Sequence, residues 1–157
     1  MINFSRIEPN IFVGSAPQTK MDADRLAQMK ITAVISLQSD ADLKGHGIDW
    51  TKLQNDYEDL GILVQRFPVV DFDEADLGRR LPEPVMTLNQ LLSVGHRLYV
   101  HCNAGICRAP ATVLTYICHY RGLSIQDGLT MLRKERPQVH PYLGAVELAL
   151  KSLKASR

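Results

Sequence analysis

Short apolar runs alternate with segments of helical periodicity along this chain, and that alternation limits the possible folds more than any other feature. The apolar runs predict strands at Ile11–Gly14, 33–38, 62–70 and 97–102. The remaining periodic segments predict helices at 19–30, 47–61, 85–94, 109–121, 124–135 and 143–153. Alternating strands and helices indicate an α/β domain with a central, mostly parallel sheet flanked by helices.

Length, charge and cysteine content exclude several classes of protein. The chain has 157 residues, of which 45% are hydrophobic, so residues 1–157 are predicted to form a single domain. A net charge of +1 provides no basic field to attract nucleic acid. No apolar stretch approaches the roughly 20 residues of a membrane span, and residues 1–10 lack the apolar run of a signal peptide. Three cysteines do not suggest a disulfide framework, which favours the cytoplasm.

The segment YVHCNAGICRAP, residues 99–110, runs from a buried strand directly into the first turn of a helix. Pro110 suits a first helical turn, whose free backbone N–H groups and positive dipole end then face the loop before it. Small residues let that loop curl until its amides converge on an anion. The predicted phosphate-binding residues are Asn103, Ala104, Gly105, Ile106, Cys107 and Arg108, the last through its planar fork.

Cys102 lies at the strand end, where the positive field of this loop favours the thiolate over the thiol. A lone cysteine at a strand end is more often a small buried hydrophobic residue. Here the thiol coincides with a small-residue loop, an arginine and a helix start, and that combination predicts a nucleophile that attacks phosphorus.

HCNAGICR fits the pattern His-Cys-x5-Arg and resembles the signature of cysteine-dependent phosphatases of the dual-specificity type. The stretches IEPNIFVGSAPQ, ISLQSDADL, GID, VVDFD and CNAGICRAP extend the resemblance over about residues 7–150 to the catalytic domain of plant glucan phosphatases, relatives of laforin. The resemblance implies a phosphomonoesterase with a phosphocysteine intermediate that acts on phosphorylated glucan. A phosphoprotein or phosphoinositide phosphatase is the alternative, because it would use the same loop.

The resemblance also implies a general acid in the segment VVDFDEADLG, residues 69–78. It selects Asp71, with Phe72 as an aromatic wall beside the site, and Asp73 remains the alternative acid. Glu74 and Asp76 are expected to belong to a solvated loop. His101 corresponds to the family histidine that orients the thiolate through a hydrogen bond, although a histidine buried in a strand is more often structural.

Other features concern substrate, regulation and rival functions. The plant enzymes have an aromatic pair where this chain has Gly45 and His46, so long glucans are expected to bind weakly. Cys107 stands where the family has glycine, and it either forms a regulatory disulfide with Cys102 or fills space. A thiol redox protein is disfavoured because Cys-x-x-Cys is absent. The histidines outside the motif share no metal-ligand spacing, so no metal or other cofactor is predicted.

Overall fold

The computed structural model describes residues 1–156 and contains a five-stranded sheet in the order β1-β2-β5-β3-β4. Strands β2, β5, β3 and β4 are parallel to their neighbours, and β1 pairs antiparallel with β2 at one edge. The strands are β1 (Phe4–Glu8), β2 (Ile11–Gly14), β3 (Ala33–Ser36), β4 (Leu63–Arg66) and β5 (Leu98–His101). The predicted α/β fold class is therefore confirmed.

Helices cover both faces of this sheet. α1 and α3 pack against one face, while the other face carries the helices from α4 onward, with α6 in contact with α5, α7 and α8. The helices are α1 (Lys20–Gln28), α2 (Asp40–Gly45), α3 (Trp50–Asp59), α4 (Glu74–Arg80), α5 (Pro82–Ser93), α6 (Arg108–Arg121), α7 (Ile125–Glu135) and α8 (Leu143–Ala155). None of these helices is both long and apolar enough to cross a membrane.

Side chains of the three central strands alternate between two hydrophobic cores, as the period of two in a strand requires. Because both faces of these strands are buried, their sequences are almost continuously apolar. The larger core receives Ile11, Val13, Ala33, Ile35, Leu98 and Val100, and the smaller core receives Phe12, Val34 and Tyr99.

Several element boundaries differ from the sequence predictions. The strand expected at 62–70 is shorter, because β4 is a half-exposed edge strand and Pro68 lacks the N–H that would continue the ladder. The helix expected at 47–61 begins at Trp50, where the Asp49 side chain accepts a hydrogen bond from the backbone N–H of Lys52. The helix expected at 85–94 begins at Pro82, which is suited to a first helical turn.

Three elements were not predicted: β1, α2 and α4. The two helices have only six and seven residues, too few to show a helical period in the sequence. Each nevertheless begins at a side chain that caps it, Ser39 for α2 and Asp73 for α4.

The parallel strands end together at one edge of the sheet. Gly14, Ser36 and His101, the last residues of β2, β3 and β5, are aligned in register. The loops that follow these strands therefore meet at that edge, which is where ligands bind in open α/β sheets.

Candidate active site

The loop between β5 and α6, residues 102–108, is called the Cys102 loop below. Cys102 directly follows β5 and its side chain is buried, while Arg108 opens α6. Gly105 has φ +69°, and a Cβ there would lie 2.6 Å from the backbone carbon of Gly14. Only glycine fits this left-handed, crowded position, which agrees with the sharp curl predicted from its small residues.

Arg136 shapes the Cys102 loop from outside, and sequence analysis did not identify it. Its fully buried guanidinium donates from Nε to the carbonyl of Gly105 at 2.8 Å and from Nη2 to the carbonyl of Ala104 at 3.0 Å. Nη2 also donates to Asn3 Oδ1 at 2.7 Å, and Nη1 to Ser5 Oγ at 3.2 Å. Burial lowers the pKa of Arg136 below its ordinary value, and these four bonds compensate for the loss of water.

Two further carbonyls of the Cys102 loop also accept hydrogen bonds from residues that lie outside the loop. The Asn103 carbonyl accepts from the backbone N–H of Ala16 at 2.9 Å, and the Ile106 carbonyl accepts from the backbone N–H of His140 at 2.7 Å. In a trans peptide the N–H points away from the C=O. Holding the carbonyls of residues 103–106 outward therefore turns the N–H groups of residues 104–107 inward, which forms a nest for an anion.

Arg108 is buried and its guanidinium is fixed on one side only. Nη1 donates to Asp42 Oδ2 at 2.6 Å and to the Val69 carbonyl at 2.9 Å, and Nη2 lies 3.3 Å from Asp71 Oδ1. Nε is buried without a hydrogen-bond partner among the described residues. A buried donor of this kind is costly unless a ligand satisfies it, so the free side of the guanidinium is suited to a phosphate oxygen.

Asp42 is the second residue that sequence analysis did not assign to the site. It forms a capping box with Ser39 at the start of α2, and it accepts hydrogen bonds from Arg108 and from Asn103 Nδ2, the latter at 2.9 Å. Burial alone would raise the pKa of Asp42, but the bonds from Arg108, Ser39 and Asn103 lower it to about 2. Asp42 is therefore an ionised carboxylate that holds Arg108 in place.

Asp71, the predicted acid, lies at the mouth of a cavity of about 170 Å³ that Cys102 and Arg108 also line. That volume suits a phosphoryl group better than the roughly 300–1,000 Å³ pockets of drug-sized ligands. Asp73, the alternative acid, instead caps α4 by accepting from the backbone N–H of Asp76 at 2.9 Å. The expectation that Asp76 belongs to a solvated loop is wrong, because Asp76 is part of α4 and its side chain is buried.

Phe72 lines the same cavity, and its side chain is 86% exposed. Its φ of +59° is unusual for an aromatic residue. The Asp71 carboxylate accepts a hydrogen bond from the Phe72 N–H at 3.1 Å, which supports this turn. The turn holds the ring outward at the cavity entrance, a position that supports its predicted role as an aromatic wall.

His101 is fully buried, and its Nδ1–H donates to the backbone carbonyl of Cys102 at 2.9 Å. This bond fixes the backbone at the end of β5, as the structural alternative expects, and support of the thiolate stays a prediction. Burial, with a smaller contribution from the Arg108 charge, lowers the pKa of His101 to about 4.

The buried neutral His101 predicts a loss of stability in mild acid. Below its ordinary pKa of 6.5 the unfolded chain binds a proton that the folded chain binds only near pH 4. This contribution to stability is therefore complete above about pH 6.5 and is lost as the pH falls towards 4. Between pH 7 and pH 5 this effect should lower the free energy of unfolding by about 2 kcal/mol. Urea unfolding at pH 7 and pH 5 measures the difference in the free energy of unfolding between the two conditions. The difference should become smaller in His101→Asn. It should remain in the control His46→Asn, because His46 is exposed.

Cys107 lines the cavity with Cys102, and both thiols are free in this structure. Its side chain is half-buried. Burial raises the pKa of the Cys107 thiol. The two alternatives, a regulatory disulfide with Cys102 or a space-filling side chain, both stay open.

Comparison with known proteins places this geometry in a family. The family model for the dual specificity phosphatase catalytic domain matches residues 11–148. The phosphoglucan phosphatase DSP4, amyloplastic, of Castanea sativa is 34% identical over 152 residues, which make up 94% of this chain and 40% of that protein. Laforin of Mus musculus is 28% identical over 150 residues, or 88% of this chain and 46% of that protein. This chain therefore spans less than half the length of either relative.

Solved structures agree on the fold. The crystal structure of Tk-PTP in the active form superposes with a TM-score of 0.77 at 21% identity, covering 98% of this chain and 97% of that one. The resemblance drawn from the sequence is thus confirmed. Because the family match extends from β2 into α8 and includes the whole Cys102 loop, this chain belongs to the family of dual specificity phosphatase catalytic domains.

Proposed function

We propose that this chain hydrolyses phosphate monoesters by transferring the phosphoryl group first to Cys102 and then to water. The observation that carries the proposal is the one-sided fixation of Arg108. Asp42 and the Val69 carbonyl hold one edge of the guanidinium, while its buried Nε has no partner among the described residues. The free edge and the inward amides of residues 104–107 together supply donors for a phosphate dianion directly beside the Cys102 thiol.

In the first step the Cys102 thiolate, which has lost its proton before the substrate is attacked, attacks phosphorus in line with the ester oxygen. The S–P bond forms as the P–O bond breaks, and the departing oxygen takes the bond's electron pair. Asp71 lies at the cavity mouth and donates a proton to that oxygen. Bound phosphate replaces the contact between Arg108 and Asp71, which leaves the carboxyl group free to hold this proton.

In the second step water releases the phosphate. Asp71, now ionised, accepts a proton from the attacking water, as microscopic reversibility requires. The P–S bond breaks and its electron pair returns to Cys102 as the thiolate. The amide nest around the phosphoryl oxygens serves both steps, because negative charge on those oxygens persists throughout.

Asp71→Asn should slow esters with poor leaving groups by about 10² or more, because the alkoxide must then depart without a proton. The value of kcat/KM for nitrophenyl phosphate should be affected much less, because nitrophenolate leaves readily without protonation and kcat/KM does not include the later hydrolysis step. Steady-state kinetics on both substrates measures the difference. Asp73→Asn is the matched control, and if it shows this pattern instead of Asp71→Asn, the acid has been assigned two residues too early.

The substrate we propose is a phosphorylated glucan. The names of DSP4 and of other matched relatives describe phosphoglucan phosphatases. In this chain the exposed Phe72 ring stands at the cavity mouth, where it can stack on a sugar. The net charge of +1 also fits a mostly neutral polymer better than a highly anionic lipid headgroup. A phosphoprotein or phosphoinositide substrate is the alternative.

Phe72→Ala should reduce phosphate release from soluble phosphoglucan more than it reduces nitrophenyl phosphate turnover. Only the polymer extends far enough from the phosphate to use the ring. The matched control is Val70→Ala, since Val70 is also exposed and belongs to the same loop. Phosphate release from glucan, phosphotyrosine peptide and phosphoinositide, assayed side by side, measures the preference. Efficient peptide turnover with no release from glucan would select the phosphoprotein alternative.

The cytoplasm is the location we propose, on the basis of the sparse cysteines alone. The amyloplast in the name of DSP4 belongs to that protein.

A further inference from the structure

Asp76 is a buried carboxylate that the proposed chemistry does not use. It lies in the first turn of α4, and its side chain is only 5% exposed. One oxygen, Oδ2, accepts a hydrogen bond from the backbone N–H of Val70 at 2.9 Å. The other oxygen, Oδ1, accepts from Arg79 Nη2 and from Arg80 Nε, both at 2.9 Å.

The bond to Val70 holds the peptide group that leads into residues 70–73, called the acid loop below. The carbonyl of that same peptide group belongs to Val69, and it accepts from Arg108 Nη1 at 2.9 Å. One peptide plane is therefore fixed from both sides, by the phosphate-binding arginine and by Asp76. Its orientation sets the direction in which the chain enters Asp71, the next residue.

The acid loop has little packing of its own to fix it. Val70 is 54% exposed and Phe72 is 86% exposed. Hydrogen bonds must therefore position Asp71, and the bond from Val70 to Asp76 connects the peptide group just before Asp71 to α4.

Arg79 and Arg80 help to keep Asp76 ionised, so that it can accept the hydrogen bond from Val70. Burial by itself would raise the pKa of Asp76, but the bonds from Val70, Arg80 and Arg79 lower it below the ordinary value. The carboxylate therefore stays ionised and accepts hydrogen bonds at both oxygens. The arginine side chains remain 66% and 57% exposed, so their charges are solvated while Asp76 is enclosed.

We propose that Asp76 is a positioning residue that aims Asp71 at the leaving oxygen through the 69–70 peptide group. The proposal rests on the proposed function, because it assumes that Asp71 is the general acid. It predicts that removal of the Asp76 carboxylate has the same kind of effect as removal of the Asp71 carboxylate, with a larger loss of rate for poor leaving groups than for good ones. A residue that only stabilised α4 would slow all substrates equally.

The test compares an alkyl phosphate with nitrophenyl phosphate in Asp76→Ala. We expect kcat/KM for the alkyl ester, which reports the steps up to departure of the leaving group, to fall about tenfold or more, part of the 10²–10⁴ that acid–base catalysis supplies, and kcat/KM for the aryl ester to change little. Asp71→Asn/Asp76→Ala should be no slower than Asp71→Asn alone.

Two further variants keep the test decisive. Asp76→Asn retains an oxygen that can accept from Val70, so it should fold and recover most of the alkyl-ester rate. Asp22→Ala is the matched control, because Asp22 is also buried and accepts from the backbone N–H of Gln18 at 2.9 Å, away from the acid loop. Its effect should be equal on both esters.

Equal losses on both esters in Asp76→Ala, beside a clear leaving-group effect in Asp71→Asn, would overturn the positioning role alone. Absence of that effect in Asp71→Asn itself would overturn the assignment of the acid as well, and the positioning role with it. The two failures are thus distinguishable from the same set of rates.

Discussion

Cys102→Ser is expected to abolish turnover, with a loss of about 10⁴-fold or more, while the variant still binds orthophosphate. A serine hydroxyl is protonated at neutral pH and is a far weaker nucleophile than a thiolate. The amide nest and Arg108 depend on contacts that this change does not touch. Turnover of nitrophenyl phosphate and calorimetric titration with orthophosphate measure the two properties separately.

Cys118→Ser is the matched control for this experiment. Cys118 is a free, half-buried cysteine in α6 and does not line the cavity with Cys102. Its replacement should leave turnover unchanged. Appreciable residual activity in Cys102→Ser would contradict the assignment of the nucleophile.

Arg108→Lys should reduce kcat/KM by about 10³-fold, although the positive charge is retained. The guanidinium binds Asp42 and the Val69 carbonyl through Nη1, while Nη2 lies 3.3 Å from Asp71 Oδ1 and Nε has no partner among the described residues. A lysine ammonium is a single point and cannot bind on both sides at once. The value of kcat/KM on nitrophenyl phosphate measures the loss, because nitrophenolate departs without a proton from the acid.

Arg66→Lys offers a matched control. Arg66 also binds an aspartate and a backbone carbonyl, through Nη2 to Asp40 at 2.8 Å and through Nη1 to Gln38 at 3.0 Å. It does not line the cavity of Cys102, so its replacement should change the rate little. A value of kcat/KM for Arg108→Lys within tenfold of the wild type would show that charge alone suffices.

The part of the site that sequence analysis predicted is local in the chain. Cys102, Gly105 and Arg108 lie within seven consecutive residues between a buried strand and a helix start. Their backbone conformation follows from small residues, a proline and a helix terminus. Such features depend on neighbours in the sequence, so a single chain shows them.

The residues that were missed act across long distances in the chain. Asp42 binds Arg108 from 66 residues away, and Arg136 binds Gly105 from 31 residues away. Aspartate and arginine are usually exposed, and nothing local distinguishes the few that become buried. Asp76 was misassigned for the same reason. Its partners Arg79 and Arg80 lie three and four residues further along α4, and acidic and basic residues at that spacing are typical of a solvent-exposed helix face.

Arg136 also determines when the site can form during synthesis. Its partners Asn3 and Ser5 precede it by 133 and 131 residues, so it joins the end of α7 to the β1 region behind the Cys102 loop. A nascent chain that stops short of residue 136 already carries the thiol, the acid and Arg108. It lacks the donor that turns the carbonyls of Ala104 and Gly105 outward. Because chains fold as they emerge from the amino terminus, the thiol becomes a reactive nucleophile only after residue 136 has been made.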